Sequence, residues 1–161
     1  MSLGERLPHL GPRGEGWVAV QGVLLVAIFG SSLLRPAWSG PARLAGVAIG
    51  AGLVVAGITL AIAGLVTLGD SLTAFPAPRP GAELVTHGAY RAVRHPIYGG
   101  LILGGLGWSL LAASPLGILL SALLAAFFDL KARREEAWLD GVHPAYATYR
   151  SRTRRLIPWI Y

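Results

Sequence analysis

The chain has 161 residues, of which 53% are hydrophobic and only 14% are charged. A soluble domain carries about 25% charged residues to cover its surface. This composition, with a mean hydropathy of +0.56, therefore excludes an ordinary soluble protein and indicates an integral membrane protein. The absence of cysteine excludes disulfides, thiolate metal sites and cysteine nucleophiles.

Three long segments of the sequence carry no charge. Residues 16–34 and 44–69 are each long enough to cross a hydrocarbon core of about 30 Å. The third segment, 96–128, is too long for one span, and Ser114 and Pro115 in its middle are suited to cap and begin a new helix. We therefore predict an all-α integral membrane protein that ends in a helical hairpin and a cytosolic helical tail. Its four transmembrane helices are expected near 16–34, 44–69, 97–112 and 115–130.

The distribution of positive charge predicts the orientation of these spans. With four spans and a cytoplasmic N-terminus, twelve of the 14 basic residues lie inside and only Arg35 and Arg43 lie outside. Three spans would leave five basic residues inside and nine outside. The net charge of +6 is thus explained by topology, because seven basic residues follow the last span, and we expect no nucleic-acid partner. The abundance of alanine, glycine, leucine and arginine is typical of a GC-rich bacterium, so we expect an inner-membrane protein.

This topology makes residues 1–161 one membrane domain, with the loop 70–96 and the tail 131–161 on the same cytoplasmic face. The loop places Tyr90, Arg94, His95 and Tyr98 at the mouth of the third span. Pro96 begins that helix, and the free N–H groups of a helix start can bind a carboxylate or phosphate. The alternative is an interfacial belt of residues that favour the head-group zone.

The tail carries a charged cluster with two interpretations. Asp129 with Arg133 and Lys131 with Glu135 are spaced to pair on a helix, which is typical of a solvated helix with weak surface pairs. Alternatively, Glu135 or Glu136 turns back to the loop and binds a ligand there. Sequence spacing does not separate the two. We predict no metal site, and we expect His9 and His143 to face solvent.

Three segments together resemble the isoprenylcysteine carboxyl methyltransferase family and the related phospholipid methyltransferases. They are Leu-Val-Thr-His-Gly-Ala-Tyr-Arg-Ala-Val-Arg-His-Pro-Ile-Tyr-Gly-Gly at 84–100, Arg-Glu-Glu-Ala-Trp-Leu at 134–139 and Tyr-Ala-Thr-Tyr at 146–149. The resemblance covers roughly 69–158, over half of the chain. It implies a membrane-embedded enzyme that binds S-adenosylmethionine between the loop and the C-terminal helix.

The resemblance also implies roles for individual residues. The glutamate that contacts the cofactor in the family aligns best with Glu135, and Lys131 stands where eukaryotic members place a substrate-contacting arginine, with Arg133 and Arg134 nearby. The implied catalytic residues are His95, Glu135, Lys131 and Arg134. The implied cofactor-binding residues are Ala82, Glu83, Leu84, Val85, Tyr90, His95, Pro96, Ile97, Tyr98 and Glu135.

The leading hypothesis is thus a methyltransferase that acts on a lipophilic or lipid-linked acceptor, either a carboxylate or an amine or hydroxyl group. The acceptor is expected to enter laterally between the glycine-lined spans while the cofactor enters from water. Two alternatives remain open at this point: a membrane reductase of the sterol-reductase type that uses NADPH, and a non-catalytic membrane binding subunit.

Overall fold

In a computed structural model of the protein, the described residues form an all-helical architecture joined by turns and loops. The structure describes residues 7–8, 10–34, 36–75, 77, 81, 83–158 and 160. Arg6, Arg35 and Arg79 of the charge count, His9, and Ala82 of the expected cofactor segment lie outside the described residues.

Within the described residues, five α-helices follow one another, and there is no β-strand beyond one isolated bridge. Three short 3₁₀ turns lie between them, at Ser31–Leu33, Gly69–Ser71 and Gly88–Arg91. The helices are α1 (Glu15–Gly30), α2 (Gly40–Leu68), α3 (Pro96–Leu111), α4 (Pro115–Val142) and α5 (Tyr146–Arg152).

Three of the helical segments are long and apolar enough to cross a membrane: Glu15–Leu33, Gly40–Ser71 and Pro115–Val142. The expected third span is present as an apolar helix, but α3 has only 16 residues and is shorter than the roughly 20 residues of a typical span. The third span near 97–112, and with it the count of four spans, therefore stays a prediction. The first part of the expected tail continues the preceding helix, because α4 runs unbroken beyond residue 130 to Val142.

The turn of the hairpin is built as the sequence predicts. Ser114 is the N-cap of α4, its side-chain oxygen accepts a hydrogen bond of 3.0 Å from the Gly117 N–H, and Pro115 opens the helix. The same hydroxyl lies 3.1 Å from the Ser31 hydroxyl at the end of α1. This cap gives the Gly117 N–H a hydrogen-bond partner inside an apolar bundle, where it would otherwise have none.

The packing of α2 against α3 depends on glycine. Gly46, Gly50, Gly57 and Gly64 are the buried residues of α2. A Cβ on Gly50 would stand 2.7 Å from the Gly107 carbonyl oxygen. The small residues thus let the two helix backbones approach closely. This close approach also corrects the expected route of the acceptor, because backbones in direct contact leave no gap between these two helices.

Replacing Gly57 by alanine is expected to destabilise the helix pair. The new Cβ would lie 2.6 Å from the Gly100 oxygen and 2.7 Å from the Gly104 nitrogen, and overpacking of this kind costs about 1–3 kcal/mol. Thermal unfolding in mild detergent should show a lower Tm. Gly52→Ala is the matched control, since nothing lies within 4 Å of its Cβ position, and an equal loss in both variants would contradict this account of the interface.

The C-terminal segment is tied to the loop that precedes α3. The Arg94 and His95 N–H groups donate to the carbonyls of Arg154 and Arg155 at 2.8 and 3.0 Å, and the Arg154 N–H donates to the Ala92 carbonyl at 3.1 Å. The Leu156 carbonyl lies against Gly99, and Leu156 belongs to the buried apolar core. The loop before α3 and the C-terminal segment, about 60 residues apart in sequence, are thus joined by backbone hydrogen bonds.

The side of the membrane on which the C-terminal segment lies can be tested directly. The charge distribution predicts a cytoplasmic C-terminus, so a reporter that works only in the cytoplasm should be active when it is fused after Tyr161. Activity of a periplasm-only reporter at that position would contradict an even number of spans.

Candidate functional site

A cavity lies between the loop that leads into α3 and the C-terminal half of α4. It encloses about 790 Å³ of empty space, part of which is open to solvent. Four elements contribute to its wall: the end of α2, the loop, the first turn of α3 and the α4–α5 region. Its lining residues are Leu68, Ser71, Thr73, Glu83, Leu84, Val85, Tyr90, Arg94, His95, Ile97, Tyr98, Glu135, Leu139, His143, Tyr146 and Tyr149.

The cavity brings together most of the residues that the resemblance implied. Every expected cofactor residue within the described part of the chain lines it, apart from Pro96. Pro96 is buried and begins α3 instead. The helix start has no side-chain cap, so its first N–H groups are available to other acceptors.

Glu135 is the acidic residue of α4 that faces the cavity. Its carboxylate accepts a hydrogen bond of 2.8 Å from the Tyr98 hydroxyl and lies 3.7 Å from Nδ1 of His95. The His95 and Tyr98 rings are parallel, with centroids 5.3 Å apart. The Tyr98 ring in turn stacks on Phe128 at 4.6 Å. Three polar groups from two helices are therefore held in one rigid arrangement at the cavity wall.

Glu136 points away from the cavity and is buried. One of its oxygens lies 2.8 Å from Arg94 Nε, 3.3 Å from His95 Nε2 and 3.2 Å from Arg155 Nε. The His95 ring is thus held between two successive carboxylates. This separation follows from helix geometry, because neighbouring helical residues point about 100° apart.

Arg94 and Arg155 extend this network into the tail. Arg94 also donates to the carbonyl oxygens of Arg150 and Thr153 at the end of α5. Arg155 donates to Asp129 at 2.9 Å, and Asp129 accepts from Arg133 at 2.7 Å. The network fixes α5, which carries Tyr146 and Tyr149 into the cavity.

The two remaining expected catalytic residues lie outside the cavity lining. Lys131 is 1% exposed and donates to the Gln21 side-chain oxygen at 2.6 Å and to the Ala74 carbonyl at 3.2 Å. Its ammonium lies 5.0 Å from the centre of the Tyr98 ring. Arg134 is also buried, and its guanidinium lies 4.6 Å from the Trp138 ring.

The burial of Lys131 corrects one interpretation of the tail. The interpretation of Lys131 and Glu135 as an exposed ion pair is wrong, because the lysine side chain turns inward and contacts Gln21 of α1. The companion pair of Asp129 and Arg133 is present and half-exposed. His143, which we expected to face solvent, is half-buried on the cavity wall.

Tyrosines form much of the polar surface of the cavity. Burial, reinforced by the charge of Glu135, raises the pKa of Tyr90 well above its usual range. Burial raises the pKa of Tyr146 and of Tyr149 in the same way. Tyr149 donates to the Tyr90 carbonyl at 2.6 Å. The Tyr146 hydroxyl is buried and has no hydrogen-bond partner among the described residues.

Sequence reasoning missed Tyr146 and Tyr149 as members of the site, although both belong to the third matching segment. The signal was present, since two tyrosines three residues apart lie on one face of a helix. The contribution of Ser71 and Thr73 had no comparable signal. Among the described residues, no group of three or more histidine, cysteine or acidic side chains could hold a metal ion.

Comparison with known proteins adds two findings. The family model for phospholipid methyltransferase matches residues 45–145, well over half of the chain. The cobalt-zinc-cadmium resistance protein CzcN of Cupriavidus metallidurans is 31% identical over 145 residues. That alignment covers 88% of this chain and 61% of the relative, so the chain spans about three fifths of the relative's length.

Proposed function

Because the chain belongs to the phospholipid methyltransferase family of membrane methyltransferases, we propose that it transfers a methyl group from S-adenosylmethionine to a lipophilic acceptor. The observation that carries this proposal is the convergence of the loop and α4 on one cavity. Glu83, Leu84, Val85, Tyr90, His95, Ile97, Tyr98 and Glu135 all line it. The apolar helices that surround the site favour a lipid acceptor at the cytoplasmic membrane face.

The cavity residues fit the chemistry of S-adenosylmethionine. The cofactor carries a positive sulfonium and a positive ammonium, and the cavity offers the carboxylates of Glu83 and Glu135. Aromatic faces also attract cations, and the Tyr90 ring lines the cavity. The buried Tyr146 hydroxyl has no partner among the described residues, and an unmade hydrogen bond of this kind costs about 1–3 kcal/mol. A polar ligand in the cavity would remove that cost.

Two parts of the wall are assigned to the two ends of the cofactor. We assign the apolar side chains of Leu84, Val85 and Leu139 to the adenosine part. The open start of α3 and the residues His95 and Tyr98 are assigned to the amino-acid part, because helix N–H groups favour a carboxylate. Glu135 then lies at the middle of the site, where it holds the Tyr98 hydroxyl.

When bound, S-adenosylmethionine supplies an activated methyl group, so the chain mainly has to orient the acceptor and exclude water. A carboxylate acceptor needs no base. For an amine or hydroxyl acceptor, Glu135 and His95 are the groups placed to take the proton, since they lie 3.7 Å apart at the cavity wall. Lys131 and Arg134, which are buried outside the cavity lining, remain candidates for contacting the acceptor.

The family match favours this function over a nicotinamide-dependent reductase. A non-catalytic binding subunit differs in one measurable respect, because it would bind the cofactor without turnover.

Methyl transfer can be measured in membranes that contain the protein. With S-adenosylmethionine labelled on its methyl group, wild-type membranes should transfer label to the lipid extract. Glu135→Gln should lower this rate by about tenfold or more, since it removes the charge at the middle of the site. Asp140→Asn is the matched control, because Asp140 is an exposed acidic residue on the same helix, and it should keep the wild-type rate. Absence of lipid labelling by a folded wild-type protein that binds the cofactor would favour the non-catalytic alternative.

A further inference from the structure

A second cavity lies beside the first and shares only Arg94 with it. It has about 580 Å³ of empty space, open to solvent. It is lined by Arg94, Arg133, Thr153, Arg154, Arg155 and Ile160. None of these residues was expected to form a separate site, and the proposed methyl transfer does not use the cavity.

The lining of this second cavity is rich in positively charged side chains. Its described lining holds four guanidinium groups and no carboxylate. Asp129 and Glu136, which do not line the cavity, form ion pairs with Arg94, Arg133 and Arg155. Arg154 is exposed and forms no ion pair within the described part of the chain. The lining therefore combines three arginines held by ion pairs with one exposed arginine, Arg154.

The donor type and the position of the cavity indicate its ligand. Guanidinium groups match the oxygens of phosphate with paired hydrogen bonds, and Thr153 adds a hydroxyl group to the wall. The cavity also lies at the end of the apolar part of α4. Phe128 and Ala132 there belong to the buried core, while Arg133 lines the cavity. The apolar side chain of Ile160 completes the lining.

We propose that this second cavity binds a phosphate group, as carried by an anionic lipid headgroup, at a site separate from the methyl-transfer cavity. Basic residues at the end of an apolar helix lie at the depth of lipid phosphates and are attracted to anionic lipids. Braced arginines make this a defined site, because their geometry is set before the ligand arrives.

The proposal can be tested by lipid binding with no cofactor or acceptor present, so its outcome is independent of the proposed methyl transfer. The full chain is placed in phosphatidylcholine nanodiscs, and the association of spin-labelled phosphatidylglycerol and phosphatidylcholine with it is compared. Wild type should favour phosphatidylglycerol. Arg154→Gln should reduce that preference roughly three- to tenfold, the effect expected for loss of a charge-assisted hydrogen bond at a partly exposed site.

Arg152→Gln is the matched control, because Arg152 is an exposed arginine of the same segment that does not line the cavity. It should keep the wild-type preference. A second titration, with inorganic phosphate, tests whether the phosphate group must belong to a lipid. Saturable binding of inorganic phosphate that Arg154→Gln weakens would show that the site also accepts free phosphate. Equal association of the two lipids with wild type, or equal losses in Arg154→Gln and Arg152→Gln, would overturn the proposal.

Discussion

Replacing Glu136 by glutamine is expected to lower the stability of the protein more than any other single change in the site. The side chain is buried and lies within hydrogen-bond distance of Arg94, His95 and Arg155. Glutamine keeps the shape but removes the charge, which leaves the buried Arg94 guanidinium without its carboxylate partner, while Arg155 keeps only Asp129. Breaking a buried ion pair in this way costs about 3–5 kcal/mol.

Thermal unfolding in mild detergent measures this loss, and the Tm should fall by roughly 10 °C. The same isosteric change at Asp140 is the control, since its ion pair with Arg150 is exposed and long, at 3.7 Å. Such pairs contribute about 0–1 kcal/mol. Equal Tm values for Glu136→Gln and Asp140→Asn would show that the network does not hold the tail against the loop.

Glu135→Gln should give the opposite result, with a large loss of cofactor affinity and little change in Tm. Glu135 is partly exposed at the cavity, where it accepts from Tyr98. Loss of a hydrogen bond to a charged group costs about 1.5–3 kcal/mol, which corresponds to a tenfold to hundredfold weaker binding. Tyr98→Phe removes the other partner of the same bond and should also weaken binding. Calorimetric titration with S-adenosylmethionine compares the variants.

Tyr146→Phe provides an independent check of the same cavity. Its hydroxyl has no partner among the described residues, so its removal should not lower the Tm of the ligand-free protein. If the ligand uses this hydroxyl, affinity falls while stability stays constant. Unchanged affinity in Glu135→Gln, Tyr98→Phe and Tyr146→Phe alike would assign these residues to an interfacial belt.

Much of the fold could be predicted because hydropathy and helix-start signals are local. Ser114 and Pro115 mark the hairpin turn through their own chemistry, and the uncharged segments locate the long helices. None of these inferences needs to know which distant parts of the chain meet.

The interpretations that failed, or that the sequence left open, depend on contacts between distant parts of the chain. Lys131 pairs with Gln21 across 110 positions of sequence, and only the packing of α4 on α1 brings them together. A lone glutamine in an apolar helix was a signal of a polar contact, but it did not identify the partner. The choice between Glu135 and Glu136 likewise depends on the rotation of α4, which the spacing of charges does not fix.

The central claim is that the cavity between the loop and α4 binds S-adenosylmethionine. Calorimetric titration of the purified wild-type protein with S-adenosylmethionine and, separately, with NADPH tests it most directly. The account predicts saturable binding of S-adenosylmethionine and none of NADPH. Saturable binding of NADPH alone, or binding of neither compound to a folded protein, would contradict it.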